Sequence, residues 1–182
     1  MKKKEQLYIF LEGTDDERYF NSVIIPRLKD KYKKVNPILY ANMNKNNFLK
    51  LIKTFQEQEI DYILFSDLDS QGDNNYCATK KKNKTIKNYK SKIKQEQIIV
   101  IKEEIESWYL AGITQANLKK YKIKKQSNTE LVNKEQFHQL IPKDFTSTKD
   151  FMIEILKEYS LENAVGINNS LKYFIGKYSL KI

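Results

Sequence analysis

The run at residues 60–66, Ile-Asp-Tyr-Ile-Leu-Phe-Ser, is almost wholly apolar and stops at Asp67-Leu68-Asp69. A strand apolar on both faces needs cover on both faces, which is the condition of an interior strand in a parallel sheet packed against helices. A second apolar run, residues 7–11, stops in the same way at Glu12-Gly13-Thr14-Asp15-Asp16. In such sheets ligands collect outside the carboxyl ends of the strands. The whole chain carries a formal net charge of +10, so carboxylates gathered at two strand ends stand out against a basic background. Held together they need a countercharge, and a divalent cation is the simplest one.

The hydrophobic period alternates along the first half of the chain in the manner of βαβ units. Residues 6–12 read as a strand. Thr14 then opens a helix, with Glu17 completing a capping box and Phe20, Val23, Ile24 and Leu28 on one face. Pro26 kinks or shortens that helix. Residues 35–40 form a second strand, placed at an edge because Pro37 has no N–H for a ladder. Phe48, Leu51, Ile52 and Phe55 recur at helical spacing, residues 60–66 are the third strand, and residues 97–101 the fourth. Helices are expected near 114–121, 147–159 and 161–178, with a polar loop between the first two. The order predicts an α/β fold: an open, mainly parallel four-stranded sheet with helices on both faces, plus C-terminal helices. The expected organisation is a catalytic core over residues 1–112 carrying a basic insert at 70–96, and a helical extension over 113–182 packed on that core.

With 182 residues, one domain with appendages is the expectation rather than two full catalytic domains. No apolar run approaches the roughly 20 residues that cross a bilayer. The Lys-rich start passes directly into a strand without the long apolar region of a signal peptide. A single cysteine, Cys77, rules out an internal disulfide framework and a cysteine-based zinc site. These features fit a cytoplasmic protein. Between Lys80 and Lys94 there are eight lysines and no acid, a distribution that suits a polyanionic partner because neutralised phosphates release counterions; the alternative is an ordinary solvated face.

Glu12, Asp67 and Glu106 each follow a different strand, and Asp67 and Asp69, two apart on an extended chain, point the same way. Asp16 lies in the first helical turn after Glu12. Each acid also has a plainer reading. Asp15 and Asp16 suit the positive end of a helix, Asp67-Leu68-Asp69 suits a turn, and Glu103, Glu104 and Glu106 suit a solvated helix start. Trp108 and Tyr109 read as core anchors, and His138 and Cys77 have no neighbours that mark catalysis.

The motifs Leu11-Glu12-Gly13-Thr14-Asp15-Asp16 and Asp67-Leu68-Asp69, in this order and strand context, resemble the TOPRIM domain of topoisomerases, bacterial primases and a set of small or fused nucleases. The stretch from Glu104-Ile105-Glu106 to Gly112 is similar to the acidic segment after the fourth strand in the nuclease branch related to the overcoming-lysogenization-defect (OLD) nucleases. Asn169-Ser170-Leu171 with Phe174 is similar to the last helix of small stand-alone members. The resemblance implies a Rossmann-like TOPRIM sheet and Mg²⁺ or Mn²⁺ held by Glu12, Asp67 and Asp69, with Glu12 as a ligand or general acid/base. It further implies that Asp16 and Glu106 serve a second ion, Glu104 being an alternate, and that Glu12, Asp67, Asp69 and Glu106 are the catalytic set. The DNA or RNA strand falls to Lys80, Lys81, Lys82, Lys84 and Lys87, or to Lys102, and Gly13 lets the backbone turn beside the phosphate.

A topoisomerase needs a tyrosine on a separate DNA-gripping domain and a primase commonly needs a zinc module, so hydrolysis is the chemistry left. Two other readings stay open. One is a catalytically silent TOPRIM module that binds nucleic acid or a partner in phage defence or counter-defence. The other is a nucleotide-sugar transferase using Asp67-Leu68-Asp69, which leaves Glu12, Glu106 and the basic balance unexplained. A separate ATPase or sensor chain is an expected possible partner.

Overall fold

In the computed structural model, residues 3–68, 77–90 and 92–182 are described. The chain divides into two compact units, residues 1–100 and 101–182. The first unit holds β1 (Lys4–Leu11), β2 (Tyr32–Leu39), α3 (Lys45–Glu57), β3 (Asp61–Asp67), α4 (Ala78–Asn88) and β4 (Ile98–Ile101), whose last residue falls at the boundary. Between β1 and β2, α1 (Thr14–Tyr19) runs through a π-helical turn at Phe20–Ile24 into α2 (Ile25–Leu28).

The four strands make an all-parallel open sheet in the order β2-β1-β3-β4. β1 is flanked by β2 and β3, with Ile9 opposite both Pro37 and Ile63. The edge position expected of β2 from Pro37 is observed, and the strand begins earlier than its apolar part, at Tyr32, because the exposed Lys33 and Lys34 extend its pairing with β1. Interior β3 buries Tyr62, Ile63, Leu64, Phe65 and Ser66 in succession, and β4 buries all its residues. Helix α3 starts at Asn44, whose side chain accepts the Asn46 N–H. It lays Phe48, Ile52 and Phe55 into a cluster with Phe10, Tyr62, Leu64 and Val100, and Phe10 meets Phe48 edge-on at 5.0 Å.

Two local expectations change. The first helix is closed by Asp16, not by Thr14 and Glu17. The Asp16 carboxylate accepts the Gly13 N–H at 2.9 Å while the Glu17 N–H donates to the Gly13 carbonyl. Gly13 is therefore the cap residue and Thr14 lies inside the helix, because the shorter aspartate side chain three residues on reaches back directly. Its φ of −139° is extended backbone that any residue adopts, so no sharp glycine turn occurs. Pro26, which has no N–H to donate, follows a π-helical widening rather than a break, and Arg27 donates back to the Val23 carbonyl at 2.6 Å.

The second unit contains α5 (Glu106–Ala111), α6 (Gln115–Lys120), α7 (Lys134–Gln139), α8 (Thr148–Lys157), α9 (Leu161–Ile167) and α10 (Asn169–Lys177). Helix α7 lies in the stretch expected to be a polar loop. Asn133 and Gln136 cap it reciprocally, and Phe137 anchors it, fully buried against Tyr109 and Phe151. The single helix expected over 161–178 is divided at Asn168, whose buried side chain accepts the Leu171 N–H and starts α10. Trp108 and Tyr109 are core residues, each 0% exposed; Trp108 donates to Ser170 Oγ at 2.8 Å. No helix among the described residues is long and apolar enough to cross a membrane.

Gly112 ends α5 against the Tyr159 ring. A Cβ there would lie 2.0 Å from a ring carbon, while the Tyr159 hydroxyl donates to the Trp108 carbonyl and the Ser160 N–H to the Gly112 carbonyl. Gly166, within α9, has open space where its Cβ would be. Gly112→Ala should cost about 2 kcal/mol or more through overpacking, whereas Gly166→Ala should be neutral or stabilising by up to about 1 kcal/mol. Urea melts of the two variants test this, and equal melts would refute the steric account.

Candidate active site at the carboxyl edge of the sheet

Because β1 lies between β2 and β3, the chain leaves its carboxyl end toward one side for β2 and returns on the other side for β3. That divergence is a topological switch point, where parallel sheets open a crevice. Glu12 follows the last residue of β1 and Asp67 is the last residue of β3, both half-buried. They are in contact: the Asp67 N–H donates to Glu12 Oε1 at 3.2 Å. Asp67 Oδ1 is itself buried.

Tyr40, immediately after β2, joins them. Its hydroxyl lies 3.1 Å from Glu12 Oε1 and 3.0 Å from the Phe65 carbonyl oxygen, so one phenol spans the ends of three strands. Burial, with the nearby Glu12 charge, raises the Tyr40 pKa and keeps the hydroxyl a donor. Sequence reasoning does not find Tyr40; the only signal is its place after a strand, and nothing in the spacing says that a tyrosine there meets Glu12.

Asp16 enters from α1, 4% exposed. Burial pushes its carboxyl up to about 7, opposed by the Gly13 N–H and reinforced by the negative charge of Glu12. Glu12 and Asp16 thus repel one another across a short loop. Asp69 lies outside the described residues. Among the described residues, no three His, Cys, Asp or Glu side chains gather closely enough to hold a metal ion.

The proposed phosphate contacts Lys80, Lys81, Lys82, Lys84 and Lys87 lie on α4, where Lys80, Lys84 and Lys87 are exposed and Thr85 turns inward. Burial lowers the Lys82 pKa. In the other unit, Glu106 opens α5 and is 3% exposed, which is unlike the solvated helix start of its plainer reading. Glu104 Oε2 accepts the Lys134 N–H at 2.6 Å, at the start of α7. Lys102 lies 3.4 Å from Glu130. Glu130 had no sequence signal, yet it is buried and accepts the Ser170 N–H at 3.0 Å and an Asn169 side-chain N–H at 3.3 Å. Beside it, Asn168 donates to Thr129 and Ser107, all three fully buried. This network starts α10, a structural role. His138 and Cys77 are exposed.

No protein-family model matches the chain, and no curated protein matches it. Among solved structures it has a remote likeness to the C-terminal region of the Burkholderia pseudomallei OLD protein, at 14% identity and a TM-score of 0.40, over 92% of this chain and 87% of that one.

The raised Asp16 pKa fixes the sign of a pH effect. Between about 4, the unfolded value, and about 7, the folded chain holds a proton that the unfolded chain has released, so stability falls as pH rises through that window. Asp16→Asn removes the charge and keeps an acceptor for the Gly13 N–H. In EDTA it should be more stable than the wild type at pH 8, by an amount on the order of a few kcal/mol, and equal to it near pH 4. A difference that does not vary with pH would show that Asp16 ionises without cost.

Proposed function

We propose that the protein is a Mg²⁺- or Mn²⁺-dependent nuclease of the TOPRIM type, hydrolysing phosphodiester bonds of DNA or RNA. The observation that carries this reading is the contact between Glu12 and Asp67 at the switch point of a parallel sheet. The Glu12 carboxylate is tied to the backbone of Asp67 at the ligand-binding edge, and the carboxylates of these two residues are the oxygen donor set we propose for a hard cation. Mg²⁺ typically uses one or two protein carboxylates and keeps several waters, so a described pair is compatible with it, and Asp69 is assigned as the third ligand. Asp16 is assigned to a second ion.

A bound cation would supply Lewis-acid stabilisation of the phosphate and an acidified water. The protein's own part is placement. Tyr40 and the Asp67 N–H both reach Glu12 Oε1, which sets the plane of that carboxylate and leaves Oε2 for another partner. The Tyr40 bond to the Phe65 carbonyl holds the carboxyl ends of β2 and β3 in step. A cation here would also relieve the repulsion between Glu12 and Asp16. The lysines of α4, in the same unit, provide the positive charge that a phosphate backbone requires, and a net charge of +10 favours a polyanion as partner. The nucleic acid is the proposed partner.

Glu12→Gln and Asp67→Asn should each lower metal-dependent nicking of plasmid by at least about a hundredfold while retaining the cooperative melt of the wild type. Wild-type rates in both variants would end the nuclease reading. Separately, replacing Lys80, Lys84 and Lys87 by Gln should weaken oligonucleotide binding and flatten its dependence on salt, the log–log slope falling by roughly one for each phosphate no longer neutralised. An unchanged slope would make α4 an ordinary solvated face.

A further inference from the structure

The hydroxyl of Tyr40 serves the strand-end acids, and its ring serves something else. With Met43, Lys45, Phe48, Asn88 and Tyr89 it lines a cavity of about 250 Å³ within the first unit. Phe48 is 1% exposed, whereas Lys45 and Asn88 are exposed, so the cavity has an aromatic floor and a polar rim. Phe48 meets Tyr89 at 4.6 Å with planes inclined by 44°, and Tyr40 at 5.6 Å and 36°. The three rings therefore line a concavity without closing into a parallel stack.

We propose that this cavity receives one unstacked nucleobase of the strand whose phosphate lies at Glu12 and Asp67. The assignment rests on the nuclease reading and adds to it a base-binding subsite with the half-buried Tyr89 ring as its stacking surface, backed by the buried Phe48. Size fits: pockets for drug-sized ligands span roughly 300–1,000 Å³, and this one is slightly smaller, the scale of a single base with part of its sugar. Spacing fits as well. From the Tyr40 ring to Glu12 is the length of a phenol plus one contact of 3.1 Å, comparable with the step from a nucleotide's base to its own phosphate. Tyr89 lies within electrostatic reach of the same carboxylate, whose charge, after burial, raises its pKa.

The chemistry of the lining favours a base over a purely apolar guest. Aromatic faces stack on any base, independent of sequence. The Asn88 carboxamide both donates and accepts, matching the mixed edge of a base, and the Lys45 ammonium suits a base carbonyl or the adjoining phosphate. The exposed lysines of α4 occupy the helix that ends at Asn88 and leads into Tyr89, so the backbone-binding charge and the base site share one element. A duplex offers no free face to such a cavity, and the subsite therefore selects a single strand or a frayed end.

The test is equilibrium binding of a short labelled single-stranded oligonucleotide in EDTA, where cleavage is off, against an abasic strand of the same length. The base-bearing strand should bind about tenfold or more tightly. Tyr89→Ala should remove most of that gap and Tyr89→Phe should keep it. Because Tyr89→Ala removes a core contact, Asn88→Ala, at an exposed helix end, is measured beside it and should narrow the gap without altering the melt. Equal affinity of the wild type for both strands overturns the subsite, as does a gap untouched by both alanine variants. A mononucleotide that displaces the oligonucleotide at equal concentration overturns the assignment to a strand in favour of a free nucleotide. Metal-dependent cleavage of a circular single-stranded DNA run in parallel separates the two claims: cleavage without a base gap removes only the subsite, and a base gap without cleavage removes only the nuclease.

Discussion

The Tyr40 hydroxyl, between Glu12 Oε1 and the Phe65 carbonyl, is the contact on which the carboxyl edge of the sheet depends. Ladder hydrogen bonds hold parallel strands in register along their length, but they end where the strands end. Past that point one backbone bond, from the Tyr40 N–H to the Leu11 carbonyl at 3.0 Å, still joins β2 to β1, and a crevice at a switch point widens by construction. Just beyond the last ladder pair, Leu11 opposite Leu39, the single Tyr40 O–H is shared between Glu12 Oε1 and the Phe65 carbonyl oxygen. The Asp67 N–H donates to the same Glu12 oxygen. Glu12 is thereby both a structural acceptor and the leading candidate ligand, and these roles reinforce one another, since an oxygen held by two donors keeps its carboxylate in one orientation.

The same edge carries the unfavourable part of the design. Asp16 closes α1 by accepting the Gly13 N–H, a favourable use of a carboxylate at a helix start, yet it is buried and faces the charge of Glu12. A helix cap needs an acceptor there but not an ionised one, and Asn would serve. An aspartate whose proton is held to near neutrality in the absence of cations makes sense where something positive arrives. The surrounding lysines do not discharge it, for those of α4 are directed mainly to solvent. Charge of opposite sign is thus present within one unit in two separate places, acid at the strand ends and base along a helix, which is the division of labour that metal-assisted chemistry on a polyanion requires.

Much of the sheet was legible in the sequence because burial on both faces leaves a direct mark. The unbroken apolar run of β3 identified an interior strand, and Pro37 identified an edge. The placement of Glu12 and Asp67 at strand ends followed from those two readings. What escaped were the features made by single polar side chains over long separations. Tyr40 and Glu12 are 28 residues apart, and Glu130 and Ser170 are 40 apart; no period or spacing encodes such pairs. Helix α7 escaped for another reason, since it is short and buries essentially Phe137 alone, too little to set up a period. The break at Asn168 was written in the sequence as Asn-Asn-Ser, a run of good cap residues, but an apolar face that continues through it concealed the interruption.

Tyr40 also shapes the pocket beside Phe48, which opens to solvent past Lys45 and Asn88. Its hydroxyl is tied at the strand ends, which fixes its ring 5.6 Å from that of Phe48. Holding an aromatic ring at a fixed height above a buried one forfeits dispersion attraction that close packing would otherwise gain. That penalty is tolerable only if the bond to Glu12 is worth more, or if the space is filled in the working state. In either case the strand-end carboxylate and the cavity share one phenol, its hydroxyl on Glu12 and its ring on the cavity wall.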